Sequence, residues 1–290
     1  MKPLEQFLAY GKTIKFHHTV FALPFALSAI VLAHRQYPIS LTQLFWILIA
    51  MVGARSAAMG FNRIADARLD AKNPRTSNRE IPLGRLSLFS AKIFVTLFSL
   101  IFIFAAVMLG KICFYLSFPV LAVLFSYSYT KRFTWLSHFY LGFVISLAPT
   151  GAWIALTNTF SLPITLLSLA LFTYIAGFDI LYGCQDIDFD TKEGLFSIPA
   201  RFGIHKALLI SSITHVFSFI FLFLIFIAFD MKTIYLMTII VIGLLLIIEH
   251  KLVKPLDLSN VNIAFFHINS AISIILFVGI LADELVRKWI

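Results

Sequence analysis

Two short windows of this chain hold carboxylates at spacings that could do chemistry. The first reads Gly60-Phe-Asn-Arg-Ile-Ala-Asp-Ala-Arg-Leu-Asp70 and sets Asn62, Asp66 and Asp70 four residues apart. The second reads Asp179-Ile-Leu-Tyr-Gly-Cys-Gln-Asp-Ile-Asp-Phe-Asp190 and carries Asp179, Tyr182, Asp186 and Asp190. On a helix turning about 100° per residue each set falls along one face, with Asp188 pointing to the opposite side. Carboxylates stacked in this way repel one another, and a membrane boundary raises the cost. A hard divalent cation relieves it: Mg²⁺ prefers oxygen ligands and typically takes one or two carboxylates together with phosphate oxygens. Two such faces opposite each other would hold Mg²⁺ ions bridging a diphosphate. One D-x-x-x-D alone would read as a solvated helix end; the recurrence of the motif, each time backed by basic loops, argues for function.

Cations stand where a diphosphate would need them. The loop Asn73-Pro-Arg-Thr-Ser-Asn-Arg-Glu-Ile-Pro-Leu-Gly84 offers Arg75 and Arg79, and Lys131 and Arg132 follow Tyr127 and Tyr129. Arginine forks match phosphate oxygens, and cations offset the charge that grows on a departing diphosphate. Arg68, Lys72 and Lys92 read instead as anchors at the membrane face.

The elements that must position these residues are membrane helices. Of 290 residues, 60% are hydrophobic and 13% charged, and the mean hydropathy is +0.93. That excludes a soluble globular enzyme, a disordered chain and a coiled coil. The apolar runs are continuous rather than alternating, which argues against a transmembrane β-barrel. Stretches suited to spans, at about 20 residues each, lie near 19–34, 41–60, 89–109, 112–129, 136–156, 162–181, 206–229, 232–249 and 262–282. The expected fold is all-α: about nine transmembrane helices in one bundle. The stretch 112–129 is the weakest, being short and interrupted by Pro119.

With the N-terminus inside, 17 of the 23 basic residues fall in the segments 1–18, 61–92, 130–135, 182–206 and 250–261. The positive-inside rule therefore predicts a cytoplasmic N-terminus and cytoplasmic acidic windows, with the C-terminus opposite. Eight of the 14 acidic residues lie in the segments 61–92 and 179–206, and none lies between Glu80 and Asp179. The net charge of +9 thus reads as topology plus an anion cradle, with no call for nucleic acid. Asp66 and Asp186 are 120 residues apart and each window opens a polar loop, which hints at a helical unit used twice. The acid-rich segments are 61–92 and 179–206 within one domain spanning 1–290. Cys113 and Cys184, in or beside apolar runs, read as small buried hydrophobes rather than a disulfide or zinc site. The amphipathic start precedes a full-length first span, so no cleavable signal peptide is expected.

The pattern N-x-x-x-D-x-x-x-D, then R-T-x-x-R-x-x-P-x-G, then D-x-x-Y-x-x-x-D-x-x-x-D resembles the UbiA superfamily of intramembrane aromatic prenyltransferases. The segment Tyr129-Thr-Lys-Arg132 and the nine spans extend the likeness over essentially the whole chain. The resemblance implies a nine-helix bundle around a central cavity opening to lipid, and Mg²⁺-dependent transfer of a polyprenyl group. It implies that Asn62, Asp66 and Asp70 form the first metal-binding motif and Asp186 and Asp190 the second. It makes Arg75, Arg79, Lys131 and Arg132 the diphosphate contacts. One departure is Arg63, where the family usually has Asp.

The stretch Lys15-Phe-His-His-Thr-Val-Phe-Ala-Leu-Pro-Phe25, together with Asn62-Arg63-x-x-Asp66, resembles the 4-hydroxybenzoate polyprenyltransferase-like branch, so the expected substrates are a polyprenyl diphosphate and an aromatic acid of quinone biosynthesis. A dihydroxynaphthoate of a futalosine-type menaquinone route is the alternative acceptor. Asp179 is the candidate for steadying the allylic cation or taking the ring proton. Arg55, inside a span and seven residues before Asn62, is the candidate partner of the acceptor's carboxylate, since it would be costly facing lipid. Lys15, His17 and His18 read as interfacial. Tyr182 is the second candidate for binding the acceptor, and Phe21, Phe25 and Tyr127 are assigned cavity positions at most. The expected location is the inner membrane, with no obligate protein partner.

A transporter is the rival from another class, but its polar residues would gather near the membrane midplane, whereas these acids lie at one edge. A phospholipid head-group transferase would carry D-G-x-x-A-R, which is absent from the sequence.

Overall fold

The computed structural model describes residues 16–255, 257–259, 261 and 263–287. Lys15 and the side chains of His17 and His18 lie outside the described residues. In chain order the α-helices are α1 (Leu23–Ala33), α2 (Leu41–Ala65), α3 (Ala67–Lys72), α4 (Leu88–Leu109), α5 (Lys111–Ser126) and α6 (Ser137–Thr157). They continue as α7 (Leu162–Gly183), α8 (Ile187–Lys192), α9 (Ile198–Ala228), α10 (Thr233–Leu252) and α11 (Asn269–Arg287). Short 3₁₀ turns cover Phe16–Phe21, Tyr127–Arg132 and Cys184–Asp186, and a π-helical turn covers Ile263–Ile268.

Among the described residues the only extended pairing is an isolated bridge between Lys254 and Asp257. Among the described residues eight helices are long and apolar enough to cross a membrane, and Thr19–Ala33 is a shorter apolar one. The chain is an all-α, multi-pass membrane protein. Among the described residues each of the nine apolar stretches contains a helix, including α5, which runs through Pro119.

Local chemistry sets the boundaries. Ser40 and Gln43 form a capping box at the start of α2: Gln43 N–H donates to Ser40 Oγ and Ser40 N–H to Gln43 Oε1, both at 3.1 Å. Pro24 and Pro163 sit in the first turns of α1 and α7, where a missing N–H costs nothing. The helix expected at 206–229 begins earlier, at Ile198, because Ser197 caps it and Pro199 occupies its first turn. Arg201 and Lys206 are therefore helical rather than in a loop. Gly203, with φ 76°, kinks this helix near its start.

The chain divides into two compact units, one holding residues 40–129 and the other residues 20–39 and 130–287. In the first, α2 packs along α4 and α5 joins both. The crossing is close because Gly53 and Gly60 face α4: a Cβ on Gly53 would lie 2.9 Å from Phe102 N, and one on Gly60 would lie 2.9 Å from Val95 Cγ2. Small residues at such crossings let backbones approach where lipid offers no hydrophobic drive. Phe61 stacks on Phe125 at 4.4 Å between centroids.

In the second unit α7 is central, packed between α6 and α9. Hydroxyls tie it to α9: Ser211 Oγ donates to Gly177 O at 2.7 Å and Ser218 Oγ to Ala170 O at 3.0 Å. A buried polar knot joins α7, α9, α10 and α11. His215 Nδ1 lies 2.9 Å from His250 Nε2, Asn269 Nδ2 donates to Glu249 Oε1 at 2.9 Å, and Tyr174 OH donates to Asn269 O at 2.8 Å. Phe25 stacks on Tyr174 at 5.9 Å and is 1% exposed, so it serves the core. At the opposite end of α10, Asp283 accepts from Lys232 N–H at 2.9 Å and Tyr235 N–H at 3.0 Å, capping that helix. Arg35 pairs with Glu284.

Candidate functional site

Each unit carries one of the two acidic windows, and the windows share a local design. The helix carrying the first acidic window does not run unbroken. α2 ends at Ala65, Asp66 adopts φ −95° and ψ 3°, and the six-residue α3 follows. In the second window α7 ends at Gly183, and Asp186, closing the 3₁₀ turn, adopts φ −104° and ψ 7° before the six-residue α8. The breaks at Asp66 and Asp186 and the short helices after them coincide under the 120-residue offset. The i, i+4 ladder survives the first break: Asp66 N–H donates to Asn62 O at 2.9 Å and Asp70 N–H to Asp66 O at 2.8 Å. Each short helix then passes into a loop that holds a glycine with positive φ, Gly84 (φ 69°) or Gly194 (φ 66°). A serine cap starts the next long helix, with Ser87 accepting from Ser90 N–H at 3.0 Å and Ser197 from Ala200 N–H at 3.3 Å.

In the first window Asn62 Nδ2 donates to Asp66 Oδ2 at 2.9 Å, and Ser128 Oγ lies 3.5 Å from the same nitrogen. Asp66 is half-buried and Asp70 buried. Arg79 Nη1 lies 2.6 Å from Asp70 Oδ1, and Arg63 Nη1 lies 4.0 Å from Asp70 Oδ2. The loop is prearranged by Asn73, whose Oδ1 accepts from Arg75 N–H at 2.9 Å and whose carbonyl accepts from Thr76 N–H at 3.0 Å and Ser77 N–H at 2.8 Å. Asn competes well for backbone donors in such turns. Thr76 Oγ1 donates back to Asp70 O at 3.2 Å, fastening the loop to the acidic helix. Arg75 is half-buried. Arg55 lies in α2, also half-buried.

In the second window Asp186 and Asp190 are 6% and 2% exposed, while Asp188 is exposed, matching the opposite facing expected of it. Lys131 Nζ lies 3.4 Å from Asp190 Oδ2 and is within Coulombic reach of Asp179 and Asp186 as well. Its backbone is fixed too, since Phe196 N–H donates to Lys131 O at 2.7 Å. Arg132 is exposed and Tyr182 half-buried. Asp179 Oδ2 lies 2.7 Å from His138 Nδ1.

Two residues set against these carboxylates escape the sequence reading. Arg63 looks there like a departure from a motif, yet it is 6% exposed and set against Asp70. His138 has no motif around it. Its one signal is a lone imidazole at the start of an apolar helix, seven residues after Lys131.

Among the described residues no three His, Cys, Asp or Glu side chains form a group that could hold a metal ion. Each acidic window instead offers carboxylate oxygens beside cations. That donor set suits Mg²⁺ arriving with phosphate oxygens, which needs one or two carboxylates, and does not suit a metal caged by protein alone.

Known proteins resemble this chain in sequence and in fold. The curated 4-hydroxybenzoate octaprenyltransferase of Serratia proteamaculans is 27% identical over 252 residues, covering 87% of this chain and 86% of that protein. That of Francisella tularensis subsp. tularensis is 24% identical over 289 residues, 99% of each. The solved apo structure of a UbiA homologue from Aeropyrum pernix K1 superposes with a TM-score of 0.83 at 33% identity, covering 92% of this chain and 98% of that one. A UbiA homologue from Archaeoglobus fulgidus, solved with GPP and Mg²⁺, shares the fold at a TM-score of 0.69 and 19% identity, covering 94% and 99%. The UbiA prenyltransferase family profile matches residues 22–271, a span that contains both acidic windows and the cations between them. With its helices, its paired acidic windows and that match, the chain belongs to the UbiA prenyltransferase family.

Proposed function

We propose that this chain transfers a polyprenyl group from a polyprenyl diphosphate to a ring carbon of an aromatic acid of the 4-hydroxybenzoate type. The reaction depends on Mg²⁺, serves respiratory quinone biosynthesis, and takes place at the cytoplasmic side of the inner membrane. The observation that carries the reading is the repeated build at Asp66 and Asp186. Twice a helix breaks at an aspartate, sets a second, buried aspartate four residues on, and places a cation against that second carboxylate: Arg79 on Asp70 and Lys131 on Asp190. The names of the curated relatives support the benzoate acceptor, and the Mg²⁺ and GPP bound to the Archaeoglobus homologue support the cofactor and the diphosphate.

Asn62, Asp66 and Asp70 in one window, and Asp186 and Asp190 in the other, would hold Mg²⁺. Bound there, it acts as Lewis acid and template on the diphosphate. Arg75, Arg79, Lys131 and Arg132 take the diphosphate oxygens, and their charge favours the state in which the C–O bond has broken and its electron pair has stayed with the leaving group. The apolar helices keep water from the allylic cation. Arg55 orients the acceptor through its carboxylate. The ring carbon bonds to the allylic carbon, and Asp179 takes the ring proton so that aromaticity returns.

The test is an acceptor panel assayed on the purified full chain with one long-chain polyprenyl diphosphate, with and without Mg²⁺. Prenylated 4-hydroxybenzoate formed only with Mg²⁺ is the expected product. Turnover of a dihydroxynaphthoate with none of 4-hydroxybenzoate would overturn the acceptor assignment. Asp66→Ala and Asp186→Ala should each abolish Mg²⁺-dependent turnover; wild-type activity in either sinks the two-motif reading.

A further inference from the structure

His138 opens α6 and faces Asp179 on α7, 41 residues along the chain, with Nδ1 2.7 Å from Asp179 Oδ2. The two side chains differ in access: the imidazole is 1% exposed and the carboxylate 18%. The second ring nitrogen, Nε2, is buried with no hydrogen-bond partner. It rests over Gly183, where a Cβ would stand 2.8 Å from His138 Cε1 and 3.4 Å from Nε2. The ring can sit this low on α7 because position 183 has no side chain.

With Asp179 ionised and the imidazole neutral, one tautomer fits these contacts. An ionised carboxylate only accepts, so Nδ1 carries the hydrogen and Nε2 keeps a lone pair. The other tautomer would bury an N–H with no acceptor and oblige Asp179 to hold a proton in the free enzyme. A buried nitrogen left without a partner works against stability; an apolar side chain would fill the same space without that cost. The imidazole is therefore held for its one hydrogen bond. Lys131 is also within Coulombic reach of Asp179, but its hydrogen bond goes to Asp190 at 3.4 Å, which leaves the orientation of Asp179 to His138.

We propose that His138 is the positioning residue of Asp179. By donating Nδ1–H to Oδ2 it fixes the carboxylate so that Oδ1 meets the proton leaving the alkylated ring. This rests on the transfer reading above. The balance is simple: the new C–C bond uses a ring electron pair, the C–H pair returns to the ring, and the proton passes to Asp179 Oδ1. His138 keeps its own proton throughout, and Asp179 is restored by release of the ring proton to water. A ring that has just been alkylated is a strong acid, so placement of the base, more than its strength, sets the rate of this step.

The test uses the purified full chain, one polyprenyl diphosphate, and 4-hydroxybenzoate carrying either protium or deuterium on its ring. His138→Leu should lower kcat by about 100-fold, the loss that misplacing a group by an ångström can bring. It should leave the KM of the diphosphate unchanged and produce a primary isotope effect on kcat that the wild type lacks. His138→Asn puts an amide N–H where Nδ1–H stood and should restore most of the rate and suppress the isotope effect. His138→Gln carries its amide too far out to do so and should behave like His138→Leu. If His138→Leu fails to fold, the Asn and Gln variants decide alone. Equal rates in those two variants, or no isotope effect in any slow variant, would overturn the proposal. Absence of turnover by the wild type with every acceptor would strike the transfer reading instead.

Discussion

Arg79 grips Asp70 through a single nitrogen, Nη1, which lies 2.6 Å from Oδ1 and 2.7 Å from Oδ2. Arg63 approaches the same carboxylate at 4.0 Å, and the side chains of Asp70 and Arg63 are 8% and 7% exposed. One carboxylate thus answers two largely buried guanidiniums at the end of α3. The pairing prearranges the loop that carries Arg75, and it explains how this chain tolerates Arg63 beside Asn62.

Asp70→Asn should therefore cost stability as well as activity. It deprives both guanidiniums of this carboxylate, and removing one partner of a buried ion pair costs on the order of 3 kcal/mol. The thermal midpoint of the purified protein in detergent should drop, and Arg63→Met in the Asp70→Asn background should recover part of the loss. An unchanged midpoint in the single variant would mean that the pair is not structural.

Lys131 is held at both ends, its carbonyl accepting from Phe196 N–H at 2.7 Å and its ammonium 3.4 Å from Asp190. Such a preorganised cation is worth most where charge develops. Lys131→Ala should lower kcat by about 10² to 10³, the range seen when one such donor is removed. Lys131→Arg should recover only part, since a planar fork does not occupy the position of a compact ammonium. Steady-state kinetics with the polyprenyl diphosphate varied would check this; a KM effect with intact kcat would make Lys131 a binding group only.

The membrane fold was legible because a bilayer demands continuous apolar runs, and 41–60 or 89–109 can be little else. The acidic windows were legible for the opposite reason, since charge is so scarce elsewhere. The backbone breaks at Asp66 and Asp186 were not, because an i, i+4 spacing reads the same through a continuous helix as through one interrupted for a single residue. His138 was hidden more deeply. Its partner Asp179 lies on another helix, and nothing in the run Leu136-Ser-His-Phe-Tyr140 announces which way the imidazole turns. The early start of α9 falls outside the apolar run because Arg201, Gly203, His205 and Lys206 interrupt it, although Ser197 and Pro199 together are a helix-start signal.

Arg55 gives a prediction about the acceptor alone. A guanidinium within α2 and seven residues from Asn62 suits a carboxylate-bearing acceptor. Arg55→Ala should raise the KM of the aromatic acid by roughly 10- to 100-fold, the worth of a hydrogen bond to a charged group. The KM of the diphosphate should stay within about twofold. An acceptor lacking the carboxylate should be used equally by both proteins. A matched rise in both KM values would assign Arg55 to the fold rather than to the acceptor.

The last prediction concerns the core that supports the second acidic window. A Cβ at Gly177 would lie 2.2 Å from His215 Cδ2 and 2.4 Å from its Nε2, so His215 can occupy its place only because residue 177 is glycine. In that place His215 Nε2 lies 3.2 Å from Tyr174 O and Nδ1 lies 2.9 Å from His250 Nε2. Gly177→Ala displaces the ring and with it both contacts, a loss on the order of 2 kcal/mol from overpacking of a close-packed interior. His215→Ala clears the obstruction, so Gly177→Ala should be nearly neutral in that background, and the double-mutant cycle should return a coupling close to the whole single-variant effect. Thermal midpoints of the four proteins measure it. Additive losses would show that Gly177 is needed for the path of α7 itself rather than for the seat of His215.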